Sequence, residues 1–323
     1  MAVLGIESSA HTFGVGIVEE GRVVANAKAM YKIGSKGMIP REVAETHIAN
    51  APNVIQEALK EAGMKFSDID GIGYTKGPGI GYCLHVGMLS AKTLAKKLNV
   101  PITQVNHGIG HMEIAKSRAK LKDPLALYVS GGNSQILKKY GESYRVLGET
   151  FDIGIGNMLD SLARSLKLYP AWGSTVEKTA EGGKYVEMPY TVKGMDFSFT
   201  GMLTHASKMK DRKSDKDICF SVQETAYAML TEATERALLL TNSKELCVCG
   251  GVAQSHRLKR MLQGMADEHG ITFGYAEDTF NADNGAMIAL VAEQMLKHGI
   301  KTKLQDCTIE QRYRIDEVKL WKE

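Results

Sequence analysis

Two histidines four residues apart, His107 and His111, flank the spacer Gly108-Ile109-Gly110. Residues at i and i+4 share one face of a helix, so both imidazoles can reach a single metal ion. A zinc protease of the H-E-x-x-H kind places its general base directly after the first histidine, and here that position is Gly108. The spacing therefore predicts a metal held for another chemistry. Asp283, in the run Asp283-Asn284-Gly285-Ala286, could complete the donor set, although an aspartate at a helix start is more often only a cap. Tyr128 could add a further ligand.

Four glycine-bearing turns could receive a phosphate or nucleotide. Tyr128-Val129-Ser130-Gly131-Gly132-Asn133 joins two expected strands. The Gly131 and Gly132 amides, with the Ser130 and Asn133 side chains, can donate to phosphate oxygens, yet a plain hairpin also favours Gly-Gly-Asn. Gly250-Gly251-Val252-Ala253 follows a buried strand and opens a helix, a natural seat for adenosine or phosphate. Lys76-Gly77-Pro78-Gly79-Ile80-Gly81 reads equally as an anion loop or a tight structural turn. Gly5-Ile6-Glu7-Ser8-Ser9 reads first as an ordinary hairpin turn, with phosphate binding second.

The elements that must position these residues follow from periodicity and punctuation. Strands are expected over residues 3–6, 12–18, 22–27, 69–74 and 102–105, with helices over 40–62 and 84–98 and a helix opened by the histidine pair. From Leu125 the pattern restarts, with strands at 125–129, 135–138 and 144–147 and a helix containing 157–167. An irregular stretch, 169–199, precedes helices near 202–209 and 222–241, a strand at 246–249, a helix, a strand at 272–275 and a helix over 282–298. Two halves of three strands followed by alternating helices and strands predict a duplicated α/β architecture, in which ligands lie at strand ends and glycine turns.

The chain has 323 residues, formal net charge +3 and five cysteines. That charge is too small to announce a nucleic-acid partner by itself. It is unevenly spread, with basic runs at Lys116, Arg118, Lys120, Lys122 and at Lys208, Lys210, Arg212, Lys213, Lys216. Each run is more often a solvated face than a binding patch. The cysteines read as buried and structural, no window has membrane-span character, and a cytoplasmic location is the default.

Taken together, Ile6-Glu7-Ser8-Ser9-Ala10-His11-Thr12-Phe13-Gly14-Val15-Gly16, Gly77-Pro78-Gly79, the histidine pair, Tyr128 to Asn133 and Asp283 to Ala289 stand in the order of a known family. The chain resembles the archaeal and eukaryotic tRNA N6-adenosine threonylcarbamoyltransferases, the catalytic subunits of the KEOPS complex, formerly called O-sialoglycoprotein endopeptidases. The resemblance covers about residues 3 to 315. It implies two related lobes of the actin/sugar-kinase-like (ASKHA) fold around a nucleotide cleft, with residues 1–124 and 298–323 in the first lobe and 125–297 in the second. It implies transfer of threonylcarbamoyl from threonylcarbamoyl-AMP to N6 of the adenosine 3′ of the anticodon, in tRNAs reading codons that begin with A. His107, His111, Asp283 and Tyr128 would hold one divalent metal, iron or zinc. Tyr128, Val129, Ser130, Gly131, Gly132 and Asn133 would meet the phosphate of the AMP-type nucleotide, and Asp160, Gly173, Glu177 and Ser255 the nucleoside. The implied partners are tRNA and three small subunits: a kinase-like protein, a dimerisation subunit and a third protein. The resemblance assigns no role to Arg41 or His47 and no general base. Where the family usually has Gly-Gly-Pro this chain has Trp172-Gly173-Ser174, and Ser255 replaces the family's asparagine. The competing reading is an ATP-binding kinase or ATPase of the same fold, to which a His-His-Asp site is foreign because such enzymes use Mg²⁺ with carboxylates and water.

Overall fold

The computed structural model describes residues 1–32 and 38–321. Its elements, in chain order, are β1 (Ala2–Glu7), β2 (Thr12–Glu19), β3 (Arg22–Met30), α1 (Pro40–Ala62), β4 (Gly71–Gly77), α2 (Gly81–Leu98), β5 (Ile102–Asn106) and α3 (His107–Arg118). There follow β6 (Leu125–Val129), β7 (Ser134–Tyr140), β8 (Ser143–Glu149), α4 (Ile155–Ser165), α5 (Gly173–Ala180), β9 (Val192–Lys193), β10 (Asp196–Phe197), α6 (Thr200–Met209) and α7 (Asp215–Thr241). The last are β11 (Glu245–Cys249), α8 (His256–His269), β12 (Thr272–Tyr275), α9 (Asp278–Asn281) and α10 (Gly285–Lys297). The chain forms two units, Met1–Ile114 with Tyr140–Tyr144 and Ala282–Glu323, and Ala115–Lys139 with Arg145–Asn281.

The first unit is built on a sheet of order β3-β2-β1-β4-β5. β1 lies at its centre, antiparallel to β2 and parallel to β4. All six residues of β1 are buried, so it reads as a continuous apolar run rather than an alternating one. That run ends in a charged residue, Glu7. Gly5 and Gly16 face each other across the β1–β2 pair. A Cβ on either would overlap backbone atoms of Ala289 or Ala286, so the first half of α10 rests directly on the strands. The close approach needs glycine on the sheet and small residues on the helix. It brings the residues preceding α10 beside the first sheet, whereas the sequence expectation had put this helix with the second.

The second unit repeats the plan with a sheet of order β12-β11-β6-β7-β8. β6 is antiparallel to β7 and parallel to β11, as β1 is to β2 and β4. Each unit has its own apolar core. Residues 169–199, expected to be irregular, contain α5 and the short β9–β10 ribbon. Only Val176 and Ala180 of α5 are buried, too short a stripe to stand out as a period. Helix α7 starts at Asp215, ahead of the expected 222, because Ser214 caps it by accepting from the Asp217 amide at 3.1 Å. All five cysteines are buried thiols, none in a disulfide. No described helix is long and apolar enough to cross a membrane.

Candidate functional site

In the first unit β5 passes into α3 without a loop. Asn106, the last residue of the strand, accepts the Gly108 and Ile109 amides on Oδ1 at 2.9 and 3.3 Å and so caps the helix. His107 and His111 then fall on one helical face, with ring centroids 4.7 Å apart and nearly perpendicular planes. Asp283 meets them from the approach to α10: its Oδ1 is 3.6 Å from His107 Nε2 and 3.3 Å from His111 Nε2. One ligand atom from each residue lies within 4.8 Å of the other two. Asp283 is not the cap of α10. Asn284 is, through its Oδ1 and the Met287 amide at 2.9 Å, and this leaves the neighbouring carboxylate to the histidines.

Glu7 stands behind His107. Its carboxylate is 0% exposed. Its Oε2 accepts from His107 Nδ1 at 3.0 Å and from the Thr75 hydroxyl at 2.6 Å, and its Oε1 accepts from the Ser9 amide at 2.6 Å. The Ser9 hydroxyl also lies 3.2 Å from His107 Nδ1. Burial opposes charge on all four titratable groups, but they compensate one another. The Glu7 carboxylate outweighs burial at His107 and pushes its pKa up to about 9. Burial dominates at His111 and lowers its pKa despite the bond to Asp283. Burial pushes against ionisation of Asp283 and Glu7, and the two imidazoles more than offset it for Asp283, as His107 does for Glu7. The cluster thus carries an excess of negative charge, which favours a cation. Two imidazoles and one carboxylate converging on one point are a donor set suited to iron or zinc.

The Ser8-Ser9 turn is not free to hold phosphate: the Ser9 amide is used by Glu7, and Ser8 is fully buried. The loop at Gly77 and Gly79 is likewise filled by this chain itself, since a Cβ there would strike Glu310 or Ser9. His47, in α1, is buried and its Nε2–H donates to the Ala10 carbonyl at 2.8 Å, which fixes the same turn.

In the second unit Tyr128 and Val129 are buried at the end of β6, and Ser130 to Asn133 form the turn into β7. The Ser130 amide donates to Asn133 O at 2.8 Å, and the Asn133 amide to Ser130 Oγ at 3.1 Å. The carbonyls of Ser130 and Gly131 accept the Gly156 and Asn157 amides at the start of α4, at 3.1 and 3.0 Å. Gly131 and Gly132 are exposed. Gly250, at φ +93°, lies against Val129 and Tyr128, where a Cβ would clash. Asp160 and Gly173 are joined, Oδ1 accepting the Gly173 amide at 2.8 Å. Glu177 accepts the Arg257 amide at 3.3 Å, and Ser255 caps α8 by accepting the Leu258 amide at 3.3 Å, so Glu177 and Ser255 meet at the start of that helix. Sequence reasoning missed Glu7 and Ser9 as partners of His107, and Thr75 as the partner of Glu7. The available signal was the lone acid closing an apolar strand.

The tRNA N6-adenosine threonylcarbamoyltransferase family (TsaD) matches residues 21–290 of this sequence. The chain belongs to that family. It is similar to the tRNA N6-adenosine threonylcarbamoyltransferase of Thermococcus kodakarensis, at 45% identity over 323 residues and 99% of each chain. It is also 45% identical over 320 residues to the probable bifunctional tRNA threonylcarbamoyladenosine biosynthesis protein of Thermoplasma volcanium, spanning 98% of this chain and 61% of that one. Among solved structures, HypF of T. kodakarensis is similar at a TM-score of 0.64 and 16% identity, covering 95% of this chain and 49% of HypF. That likeness concerns the fold alone and agrees with the expected actin/sugar-kinase-like architecture. Membership of the threonylcarbamoyltransferase family makes this chain a transferase, and the kinase alternative is not favoured.

Proposed function

We propose that this chain transfers the threonylcarbamoyl group of threonylcarbamoyl-AMP to N6 of the adenosine 3′ of the anticodon, in tRNAs reading codons that begin with A. The observation that carries the reading is the convergence of His107, His111 and Asp283 in a chain of this family. These three residues would hold one divalent metal, iron or zinc, which when bound supplies a Lewis acid.

Transfer forms a bond from N6 to the carbamoyl carbon, breaks the carbon–oxygen bond to phosphate, and releases AMP and one proton. The mixed anhydride is already activated, so the protein has mainly to orient it and stabilise charge on the departing phosphate. The exposed Gly131 and Gly132 amides, with Ser130 and Asn133, are the groups suited to that phosphate. The Ser130 and Gly131 carbonyls are turned into α4, which leaves the opposite side of the turn to the ligand. Asp160, Gly173, Glu177 and Ser255 would meet the nucleoside. Ser255 is engaged as a helix cap, so its contribution there rests on its second lone pair or on the helix start it shapes. Tyr128 and Val129, at the end of β6, would meet the same phosphate. The protein would act in the cytoplasm with tRNA and the small partner subunits of a KEOPS-type assembly.

The test is to supply the chain and its partner proteins with threonylcarbamoyl-AMP and unmodified tRNA, then search the digested tRNA for threonylcarbamoyladenosine by mass spectrometry. The modified nucleoside is expected, and its absence with assembled, folded partners would reject the reading. Steady ATP turnover without tRNA would instead favour the kinase-like alternative.

A further inference from the structure

We propose that Glu7 is the positioning residue of the metal centre: its carboxylate holds the Nδ1–H of His107 and so presents Nε2 as the ligand atom. The inference rests on the metal reading above and concerns a residue outside the donor set.

Three observations carry it. Glu7 is wholly buried at the end of the central strand of its sheet. A buried carboxylate is costly unless every lone pair finds a donor, and hydrophobic or neutral replacements of buried charges are often no less stable. Among the described residues no lysine or arginine is bonded to it: its donors are the Ser9 amide, the Thr75 hydroxyl and His107. A neutral side chain could satisfy the first two, so the charge is explained only by the imidazole. Finally, the bonded atom is Nδ1, while Nε2 of the same ring is the atom facing Asp283. A ring whose Nδ1–H is fixed by a carboxylate has its tautomer and its orientation set at once, and its ligating nitrogen made more basic. Thr75, donating to the same Oε2 from β4, and Ser9, donating to Oε1 through its own amide, prevent the carboxylate from turning away.

The alternative is that Glu7 only ties the β1–β2 turn to β4. The two roles separate in metal affinity. Zn²⁺ dissociation constants would be measured on the full chain by competition with a chromophoric chelator, for wild type, Glu7→Gln, His111→Ala and Asp283→Asn. Glu7→Gln is expected to bind Zn²⁺ about 10- to 100-fold more weakly, the effect typical of such outer partners. Wild-type affinity in folded Glu7→Gln, with affinity lost in the other two variants, would overturn the role of Glu7 while leaving the metal centre intact. Wild-type affinity in all three would overturn the metal centre itself. If Glu7→Gln fails to fold, imidazole ¹⁵N spectra of the Zn²⁺-loaded wild-type chain decide. A proton on Nδ1 of His107 with metal on Nε2 is expected, and metal on Nδ1 would refute the proposal.

Discussion

Asp283 and Asn284 divide two tasks that sequence alone assigns to either. Asn284 closes the first turn of α10, and Asp283 reaches the histidines. Asn284→Ala should therefore cost about 1 kcal/mol of stability in urea titrations, the usual loss for a cap. Asp283→Asn should leave the urea midpoint near that of the metal-free wild type and abolish Zn²⁺ retention on gel filtration. A large stability loss in Asp283→Asn would return the capping role to it. His47 offers a pH test away from the metal ligands. Burial lowers its pKa below the usual histidine value of 6.5, against the opposing pull of the bonded Ala10 carbonyl and the Glu7 charge. The unfolded chain then binds the proton more readily, so His47 lowers stability as pH falls through 6.5 toward its native pKa. The urea midpoint of His47→Gln should fall less steeply over that window than that of wild type. Parallel slopes would show that His47 does not titrate as described.

The decisive element contact is α10 against β1 and β2. Gly16→Val would push a branched side chain into the backbone at Ala286, an overpacking expected to cost about 3 kcal/mol or more. Because Asp283 lies just ahead of the same helix, the variant should also weaken Zn²⁺ binding. A stable Gly16→Val chain with full affinity would contradict the claim that this crossing places the carboxylate. Much of this was legible in the sequence. The i, i+4 histidines, the restart of the strand pattern at Leu125 and the glycine turns each carry a local rule, and the structure places them on the expected elements. What stayed hidden was long-range. Nothing near Glu7 in sequence signals that Nδ1 of His107 will be its partner, a hundred positions away. The attachment of α10 to the first sheet is likewise a matter of glycine-to-alanine fit, and periodicity does not report it.

At the scale of the molecule, two units of like topology divide the labour. The first carries the proposed metal donors, and the second carries the glycine turn and the residues proposed for the nucleoside. The second also carries the basic run Lys208, Lys210, Arg212, Lys213 and Lys216, all exposed between the end of α6 and the start of α7. For a tRNA substrate this run is a proposed docking surface, which a net charge of +3 alone does not announce. The triple reversal Lys210→Glu, Arg212→Glu, Lys213→Glu should raise KM for tRNA and flatten its salt dependence, with Zn²⁺ affinity unchanged. An unaltered KM would mark the run as a solvated surface.

The central claim is that threonylcarbamoyl transfer depends on the His107–His111–Asp283 centre, and single-turnover kinetics test it most directly. Labelled threonylcarbamoyl-AMP would be mixed with tRNA and excess assembled enzyme, wild type or His111→Ala, with bound metal quantified in the same samples. The account predicts about one metal per wild-type chain, and in His111→Ala a loss of metal together with a transfer rate at least about 100-fold lower, the scale of removing a key electrostatic group. Transfer at the wild-type rate by a folded, metal-free His111→Ala chain would contradict it.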